Sequence, residues 1–372
     1  MKILIFGMTD NPGGVESFII NYCKEFCGRI KFDFLTYNVR PAYFETIKEM
    51  GAKVYTVAGK SQGFLKNRKQ LDQFFKDKKN EYDAIWLNLC EMSSIEPLIF
   101  AKKYGIKRRI IHSHNTKNMS SRAAAYLHKI NKRRIEKYAT DFWACSEEAG
   151  KFFFSKLSSE RVKIINNAVD IGKFMYNSGV REKYRDLLGL SGKFVIGHVG
   201  RMHRQKNPFF ILEIFQKTLT FNKNAILLWV GTGELFDEIK QRAKEMNIEK
   251  SIVFLGKRND VDCLMQIMDV FLLPSLYEGF PVVLVEAQAS GLPCLVSDTV
   301  TDQVKILDSC KMLRLQDGPE IWAKNLNDIS SIENMRQIGG EKVKNAGYDI
   351  KQEAKKVICL LEDDTNEKDN GH

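Results

Sequence analysis

The sequence predicts an α/β protein built from two doubly wound parallel sheets. Short apolar runs alternate with longer amphipathic segments along the chain, which is typical of parallel strands joined by crossover helices. At 372 residues the chain exceeds what one hydrophobic core usually supports, so two domains are expected. A composition of 44% apolar and 28% charged residues is that of an ordinary globular protein.

The first domain is predicted over residues 1–168. Apolar runs predict strands near residues 2–6, 32–37, 53–57, 84–89, 109–114, 141–144 and 162–165. Helices are predicted near residues 14–27, 40–50, 63–78, 95–103, 120–138 and 146–154.

The second domain is predicted over residues 169–347. Its strands are predicted near residues 194–200, 225–231, 252–255, 269–273, 293–297 and 311–314, with helices between them. A final helix is predicted near residues 348–364, and residues 365–372 are predicted to form a flexible tail.

Several classes of protein are excluded at this stage. No apolar run approaches the ~20 residues that span a bilayer, and the opening MKILIF is better interpreted as a strand than as a signal peptide. The eight cysteines include no CxxC pair, which favours reduced core residues. We therefore expect a cytoplasmic protein.

The net charge of +11 belongs to the first part of the chain. Residues 1–170 hold 30 Lys and Arg against 18 Asp and Glu, whereas the remainder holds 27 against 28. The basic segment 117–137 also carries apolar residues at helical spacing, so it predicts a helix that either rests on anionic lipid or forms a solvated face. No recognition motif supports nucleic-acid binding, and none is expected.

The most informative stretch is PSLYEGFPVVLVEAQASG, residues 274–291, which holds Glu278 and Glu286. The preceding run VFLLP predicts a buried strand, Pro281 suits the start of the following helix, and Gly291 suits its end. The two acids are therefore expected on either side of a strand-to-helix junction.

The start of this predicted helix is an expected anion site. Backbone N–H groups of Gly279 and Phe280 at a helix start attract an anion, with phosphate as the expected ligand. Two acids alone are more often solvated helix-end charges, so the interpretation depends on the motifs elsewhere.

Ligands of open parallel sheets bind at the carboxyl ends of strands, and three further loops lie there. NPGGVES brings Gly13 and Gly14 to a helix start, where backbone approaches a ligand closely, although a glycine pair also suits a tight turn. GRMHRQKNP places Arg201 and Lys206 on one loop, a pair suited to neutralising a diphosphate. VGTGE opens another helix after a strand.

The sequence IIHSHNT, residues 110–116, ends a predicted strand. Alternation along the strand puts His112 and His114 on one face, with His114 nearer the loop. Without a third ligand at helpful spacing, a metal site is disfavoured, and His114 is interpreted as a polar contact to substrate.

Taken together, the motifs GGVE, HSHN, NNAVD, GRMHRQKN, VGTGE, FLGKRNDV and EGFPVVLVE resemble, in order, those of the family 4 retaining glycosyltransferases of the GT-B fold. The resemblance covers nearly the whole chain. HSHNT and YEGFPVVLVEAQASGLPCLVSD resemble more narrowly the bacterial enzymes of capsular and exopolysaccharide synthesis. This fold implies two Rossmann-like domains facing across a cleft, with the final helix returning to the first domain.

The resemblance implies a role for each matching position. It gives Glu286 the nucleotide ribose, Glu278 the donor-sugar hydroxyls, and Arg201 and Lys206 the diphosphate, while the base lies against the loop 256–258. The implied donor-binding residues are Gly13, Gly14, Arg201, Lys206, Gly256, Lys257, Arg258, Glu278, Gly279, Phe280, Pro281 and Glu286. The implied catalytic residues are His114, Glu278, Arg201 and Lys206.

The acceptor is expected to contact loops of the first domain, at Asn88, Glu91, Asn118 and Arg122. The implied reaction moves a sugar from a nucleoside-diphosphate sugar, with UDP expected, to a glycan hydroxyl with retention of anomeric configuration. No metal and no cofactor are expected. A lipid-linked acceptor follows only from the basic segment, which would bring the protein to the inner face of an anionic membrane.

Two other classes of protein stay open. A nucleotide-sugar epimerase of the same fold would release an altered sugar without an acceptor. A non-enzymatic protein that binds membrane or nucleic acid is suggested only by the basic first half.

Overall fold

The structure is a computed structural model that describes residues 1–26, 28–116, 121–329 and 336–366. The chain forms two compact units: unit 1 is Met1–Ala168 with Ile350–His372, and unit 2 is Val169–Asp349. The predicted acceptor contact Asn118 and residues 367–372 of the predicted tail lie outside the described residues.

Unit 1 contains a seven-stranded parallel sheet in the order β3-β2-β1-β4-β5-β6-β7. Its strands are β1 Lys2–Phe6, β2 Lys31–Thr36, β3 Val54–Thr56, β4 Ala84–Leu89, β5 Arg108–Ser113, β6 Asp141–Ala144 and β7 Val162–Ile164. Its helices are α1 Gly14–Phe26, α2 Phe44–Glu49, α3 Phe64–Asp77, α4 Glu96–Lys103, α5 Arg122–Arg134 and α6 Glu147–Phe154. Helices cover both faces of the sheet, which explains why the central strands β1 and β4 are mostly apolar.

Unit 2 contains a six-stranded parallel sheet in the order β10-β9-β8-β11-β12-β13. Its strands are β8 Phe194–Val199, β9 Ala225–Val230, β10 Ile252–Gly256, β11 Val270–Leu273, β12 Cys294–Ser297 and β13 Cys310–Leu313. Its helices are α7 Ile171–Phe174, α8 Ser178–Leu187, α9 Pro208–Phe221, α10 Phe236–Glu245, α11 Val261–Ile267, α12 Val282–Ala289, α13 Gly318–Ile329 and α14 Gly339–Asn345.

The final helix, α15 Ile350–Asn366, returns to unit 1. It packs against α1, where Ile350, Val357 and Leu361 join the same apolar core as Ile19 and Phe26. Both sheets and the returning helix confirm the predicted fold class. The helix continues two residues into the predicted tail.

Each sheet reverses its strand order once, between β1 and β4 in unit 1 and between β8 and β11 in unit 2. Loops leave the carboxyl ends of two such strands in opposite directions, which opens a crevice where ligands of this architecture bind. The motif GGVE follows β1, GRMHRQKN follows β8 and EGFPVVLVE follows β11, so these three motifs lie beside the two points. Among the described residues, no helix is both long and apolar enough to cross a bilayer.

Candidate functional site

Unit 2 places three of the predicted residues at the carboxyl edge of its sheet, where the strand order reverses. The loop after β8 holds Arg201 and Lys206, and the loop after β11 holds Glu278. The two loops are joined by a hydrogen bond from the backbone N–H of Leu276 to the carbonyl of Gln205, at 2.8 Å. Strand order therefore brings these predicted residues together across more than 70 positions of sequence.

Lys206 and Glu278 form an ion pair at this edge. Lys206 Nζ lies 2.5 Å from Glu278 Oε1, and the two side chains are only 15% and 9% exposed. Gln205 Nε2 donates to Glu278 Oε2 at 3.3 Å and to the carbonyl of Tyr277 at 3.0 Å. The carboxylate is thus held in one orientation, with a cation and an amide on its two oxygens.

Arg201 lies on the same loop, and its side chain is exposed. Within the described part of the chain no carboxylate pairs with its guanidinium. An exposed arginine beside a lysine that already holds a glutamate leaves positive charge at the edge, as binding of an anion requires.

Glycines bring the neighbouring loops into contact. A Cβ on Gly231 would lie 2.1 Å from the carbonyl oxygen of Gly200, and Gly231 has a φ of +132°. A Cβ on Gly233 would lie 2.4 Å from the carbonyl oxygen of Met202. The Gly231 N–H also donates to the Gly256 carbonyl at 2.8 Å. The glycines of VGTGE therefore hold the loop of Arg201 against the predicted base-binding loop.

The predicted base-binding loop begins at Gly256, the last residue of β10, and continues with Lys257 and Arg258. The guanidinium of Arg258 bonds Asp260 at 2.8 and 2.6 Å, and this contact lowers the pKa of Asp260. Asp260 is the residue before α11 and Asp262 lies in its first turn, so both acids are helix-start residues. No group of three or more potential metal ligands occurs among the described residues.

Glu286 lies in the second turn of α12, on the helix side of the predicted strand-to-helix junction. Its carboxyl group is partly buried and has no hydrogen-bond or ion-pair partner within the described residues. Burial raises the pKa of Glu286 to about 7, and the negative charge of Asp262 adds to the shift. The structure therefore associates Glu278 with a lysine and Glu286 with a second acid, and the two carboxylates have different environments.

The start of α12 differs slightly from the prediction. Pro281 is the residue before the helix, with ψ at 103°, and Val282 is the first helical residue. Phe280 is buried and stacks on Tyr348 at 5.4 Å between ring centroids, which anchors Gly279 and the rest of the loop. Gly291 takes the predicted helix-ending conformation, with φ at +66°.

Unit 1 places two of its predicted residues at the start of α1. Gly14 is the first helical residue and has open space around it. Gly13 precedes it, and a Cβ there would lie 2.9 Å from Glu16 Oε2. Glu16 accepts hydrogen bonds from the Thr9 hydroxyl at 2.7 Å and the Thr9 N–H at 3.2 Å, which fixes the loop after β1.

His114 lies just beyond β5, packed against His112 with 4.2 Å between ring centroids. Burial lowers the pKa of His114 to about 3. Burial also lowers the pKa of His112 well below its ordinary value, with the neighbouring His114 as a second cause. Both rings are neutral at physiological pH. His114 Nε2 lies 2.9 Å from Oδ1 of Asn88, a predicted acceptor contact that is itself buried.

The other predicted acceptor contacts have different environments. Glu91 is 8% exposed, and neither of its carboxylate oxygens has a hydrogen-bond partner among the residues that the structure describes. Arg122 begins α5 and is exposed, directly after Ser121, whose hydroxyl accepts from the Ala124 N–H at 3.3 Å. No contact between these residues is present in the described structure, and their role in acceptor binding stays a prediction.

Sequence reasoning missed His198, Gln205 and Asp262. His198 is buried on β8 with its Nδ1 2.9 Å from the Leu272 carbonyl. Its Nε2 has no hydrogen-bond partner in the described part of the chain and would lie 3.0 Å from a Cβ on Gly200. Burial lowers the pKa of His198 to about 4, with the charge of Lys206 as a further cause. For His198 the available signal was a histidine within the apolar run that ends at Val199, just before Gly200 and Arg201.

The fold and this edge define a class of protein. The structure matches that of Anabaena Alr3699/HepE in complex with UDP-glucose, with a TM-score of 0.79, 20% identity, and coverage of 98% of this chain and 100% of that one. It also matches WaaG, a glycosyltransferase involved in lipopolysaccharide biosynthesis, with a TM-score of 0.71, 16% identity, and coverage of 97% and 99%. The fold is therefore GT-B.

Sequence comparison gives the family. Residues 180–345 match the family described as Glycosyl transferases group 1. EpsF of Bacillus subtilis (strain 168), which is named as a glycosyltransferase, is 32% identical over 358 residues, or 92% of this chain and 91% of EpsF. The chain belongs to the group 1 glycosyltransferases.

A further relative matches about half the chain. The UDP-Gal:alpha-D-GlcNAc-diphosphoundecaprenol alpha-1,3-galactosyltransferase of Escherichia coli is 34% identical over 190 residues, or 50% of this chain and 47% of that protein.

Proposed function

We propose that this glycosyltransferase is a retaining enzyme of family 4 that moves a sugar from a UDP-sugar to a hydroxyl of a lipid-linked glycan, in capsular or exopolysaccharide synthesis. The proposed binding of the donor sugar nucleotide rests on the residues at the carboxyl edge of the unit 2 sheet. There the unpaired Arg201 lies on one loop with Lys206, which pairs with Glu278 at 2.5 Å. A diphosphate and a sugar hydroxyl are the groups that such cations and such a carboxylate bind.

In this proposal Arg201 and Lys206 bind the diphosphate, and Glu278 accepts hydrogen bonds from hydroxyls of the donor sugar. As the glycosidic bond breaks, the leaving diphosphate gains negative charge, which these two cations stabilise. The proton of the acceptor hydroxyl passes to a phosphate oxygen on the same face of the sugar. The new bond therefore has the anomeric configuration of the donor, and neither Glu278 nor Glu286 forms a covalent intermediate.

Glu286 is assigned the ribose of the nucleotide. Its carboxyl has no partner in the described residues, and two vicinal hydroxyls supply the donors that an ionised carboxylate accepts. The choice of UDP draws support from HepE, which was solved with UDP and with UDP-glucose, and from the Escherichia coli relative, whose name specifies UDP-Gal.

The acceptor is proposed from the names of relatives and from charge. The Escherichia coli relative is named for a diphosphoundecaprenol-linked substrate, and the amylovoran biosynthesis glycosyltransferase AmsD of Erwinia amylovora is 23% identical over 271 residues. On α5, Arg122, Lys129 and Arg133 are exposed in one stripe with Tyr126. A cationic stripe with an aromatic residue suits the surface of an anionic membrane, where a lipid-linked acceptor is located.

Product analysis tests the proposal. The protein is incubated with UDP-sugars and a lipid-linked oligosaccharide, and the anomeric configuration of the product is read by NMR. Retention in a new glycosidic bond is the expected result, and an inverted anomer would contradict it. An altered nucleotide sugar formed without an acceptor would instead identify an epimerase.

A further inference from the structure

Asn88 lies near the carboxyl end of β4, directly beside His112 of β5 in the sheet register. It is only 2% exposed. Asn88 therefore cannot make the contact with the glycan acceptor that was predicted from the sequence. Backbone closes over it from β1: a Cβ on Gly7 would lie 2.5 Å from the Asn88 carbonyl oxygen and 2.8 Å from its Cβ. This contact holds Asn88 in place at the point where the strand order reverses.

The hydrogen bonds of Asn88 fix which way its amide faces. Its Nδ2 donates to the carbonyl of Phe6 at 3.3 Å and to that of Trp86 at 3.4 Å. Carbonyl oxygens only accept, so the amide nitrogen must face them and Oδ1 must face the opposite way. Oδ1 lies 2.9 Å from Nε2 of His114.

This contact determines the tautomer of His114. Oδ1 of an amide only accepts, so Nε2 of His114 carries the proton, and in the neutral ring Nδ1 is then an unprotonated acceptor. The ring cannot rotate freely, because Phe18 packs edge-on against it at 4.8 Å and His112 lies 4.2 Å away. Within the described residues Nδ1 has no hydrogen-bond partner.

We propose that Asn88 is a positioning residue, which holds His114 as the Nε2–H tautomer so that Nδ1 accepts a hydrogen bond from the sugar substrate. The contact with sugar rests on the proposed function. The ligand group that meets His114 is then a donor, either a hydroxyl or an amide N–H. An oxygen of a carboxylate or phosphate is excluded from that position, because it would face the lone pair of His114 Nδ1 in a buried environment.

The tautomer is measured directly on the full-length chain. The protein has six histidines, so selective ¹⁵N labelling gives a short list of ring signals, and the signals that disappear in His114→Gln assign the ring of interest. The expected result is a protonated Nε2 and an unprotonated Nδ1 on His114. A proton on Nδ1 in the wild-type protein would overturn the proposal without any variant of Asn88.

Asn88→Leu tests the positioning role. It removes the acceptor of Nε2–H, so the His114 signals are expected to shift toward a mixture of tautomers. Asn67→Leu is the matched control, because Asn67 is equally buried in unit 1 and its Nδ2 donates to the Ala58 carbonyl at 2.6 Å. Unchanged His114 signals in Asn88→Leu, or equal changes in Asn88→Leu and Asn67→Leu, would overturn the positioning role of Asn88.

The link to substrate is tested with UDP-glucose as the probe. In Asn88→Leu, kcat/KM is expected to fall about tenfold, the size of one lost hydrogen bond to a ligand, while the Kd for UDP is unchanged. An equal loss of UDP affinity would indicate general damage and contradict the role. If the tautomer is as stated but no sugar is transferred, the proposed function fails and the positioning by Asn88 stands.

Discussion

Glu286 carries a carboxyl group whose pKa is raised from its usual 4.5 to about 7, first by burial and then by Asp262. Ionisation is thus less favourable in the folded chain than in the unfolded chain. The folded state binds this proton more tightly, so the contribution to stability is complete below pH 4.5 and is lost as the pH rises through 7.

Replacing this group should therefore stabilise the protein only at high pH. Glu286→Gln is expected to melt about 2–4 °C above the wild type at pH 8 and at the same temperature at pH 4.5, since about 1 kcal/mol produces that shift in a domain of this size. Scanning calorimetry at the two pH values measures it. Glu213→Gln, at an exposed position of α9, is the control that should change neither value. A difference in melting temperature that is the same at both pH values would contradict the buried environment assigned to Glu286.

Lys206 is expected to act on the reaction itself. Lys206→Ala removes a cation from the leaving diphosphate and leaves Glu278, within the described residues, with only Gln205 as a side-chain partner, so kcat/KM should fall by about 100-fold or more. Initial rates with a UDP-sugar measure it. Lys217→Ala, which removes an exposed partner of Glu320 on the same unit, should stay within about twofold. Equal rates for the two variants would exclude a role for Lys206 in the reaction.

No bound metal is needed to explain charge stabilisation at this edge, because Arg201 and Lys206 supply two cations. Activity is therefore expected to persist after exhaustive treatment with EDTA, measured as the initial rate before and after adding Mg²⁺ or Mn²⁺. Loss of activity with EDTA and its return with one of these ions would overturn the proposed metal independence.

At the scale of elements, the glycines after β9 allow the loops after β8, β9 and β10 to pack closely against one another. Gly231→Ala should weaken UDP binding at least about tenfold, because its Cβ would lie 2.1 Å from the Gly200 carbonyl oxygen and must displace the loop of Arg201. Gly189→Ala is the matched control, since it also has a positive φ but nothing within 4 Å of its Cβ. Calorimetric titration gives both affinities, and equal losses would show that backbone strain alone is responsible.

The elements themselves were largely predictable from sequence, because buried parallel strands are short apolar runs. All thirteen predicted strands occur within one or two residues of their expected bounds. The helix predicted over residues 40–50 is shorter, Phe44–Glu49, because Tyr43 takes a left-handed φ of 59° and the chain becomes helical only after it.

Contacts between elements were less predictable. The pairing of Lys206 with Glu278 depends on β11 lying beside β8, which follows from sheet order and not from any local pattern. The raised pKa of Glu286 depends first on burial and then on Asp262, neither of which a local sequence pattern shows. Asn88 was expected to contact the glycan acceptor, because nothing in the sequence indicates that this polar residue is buried within β4. Sequence motifs therefore identify the candidate site residues, whereas the contact partners of those residues become visible only in the packed structure.

At the scale of the whole molecule, the positive charge is concentrated in residues 1–170. Charge reversal of Arg133 and Arg134, both exposed on α5, is expected to weaken binding to liposomes of anionic phospholipid, each charge contributing about 1 kcal/mol. Binding of the wild type should also fall as salt rises. Co-sedimentation measures both effects.

The control for this membrane experiment changes the same net charge elsewhere. Lys240→Glu with Lys244→Glu reverses two exposed charges on α10 of unit 2 and should leave binding nearly unchanged. Equal losses in both pairs would indicate that only net charge matters, and binding that is insensitive to both would remove the basis for a membrane-bound acceptor.

The central claim is that the carboxyl edge of unit 2 binds a nucleoside diphosphate with Glu286 on the ribose. Thermal unfolding with UDP, GDP and their sugars, on the wild type and on Glu286→Ala, tests it most directly, because a ligand at about 100 times its Kd stabilises the folded state by about 2.7 kcal/mol. We predict that UDP and its sugars stabilise the wild type and that this effect is lost in Glu286→Ala. Stabilisation that is equal in both proteins, or absent with every nucleotide, would contradict the account.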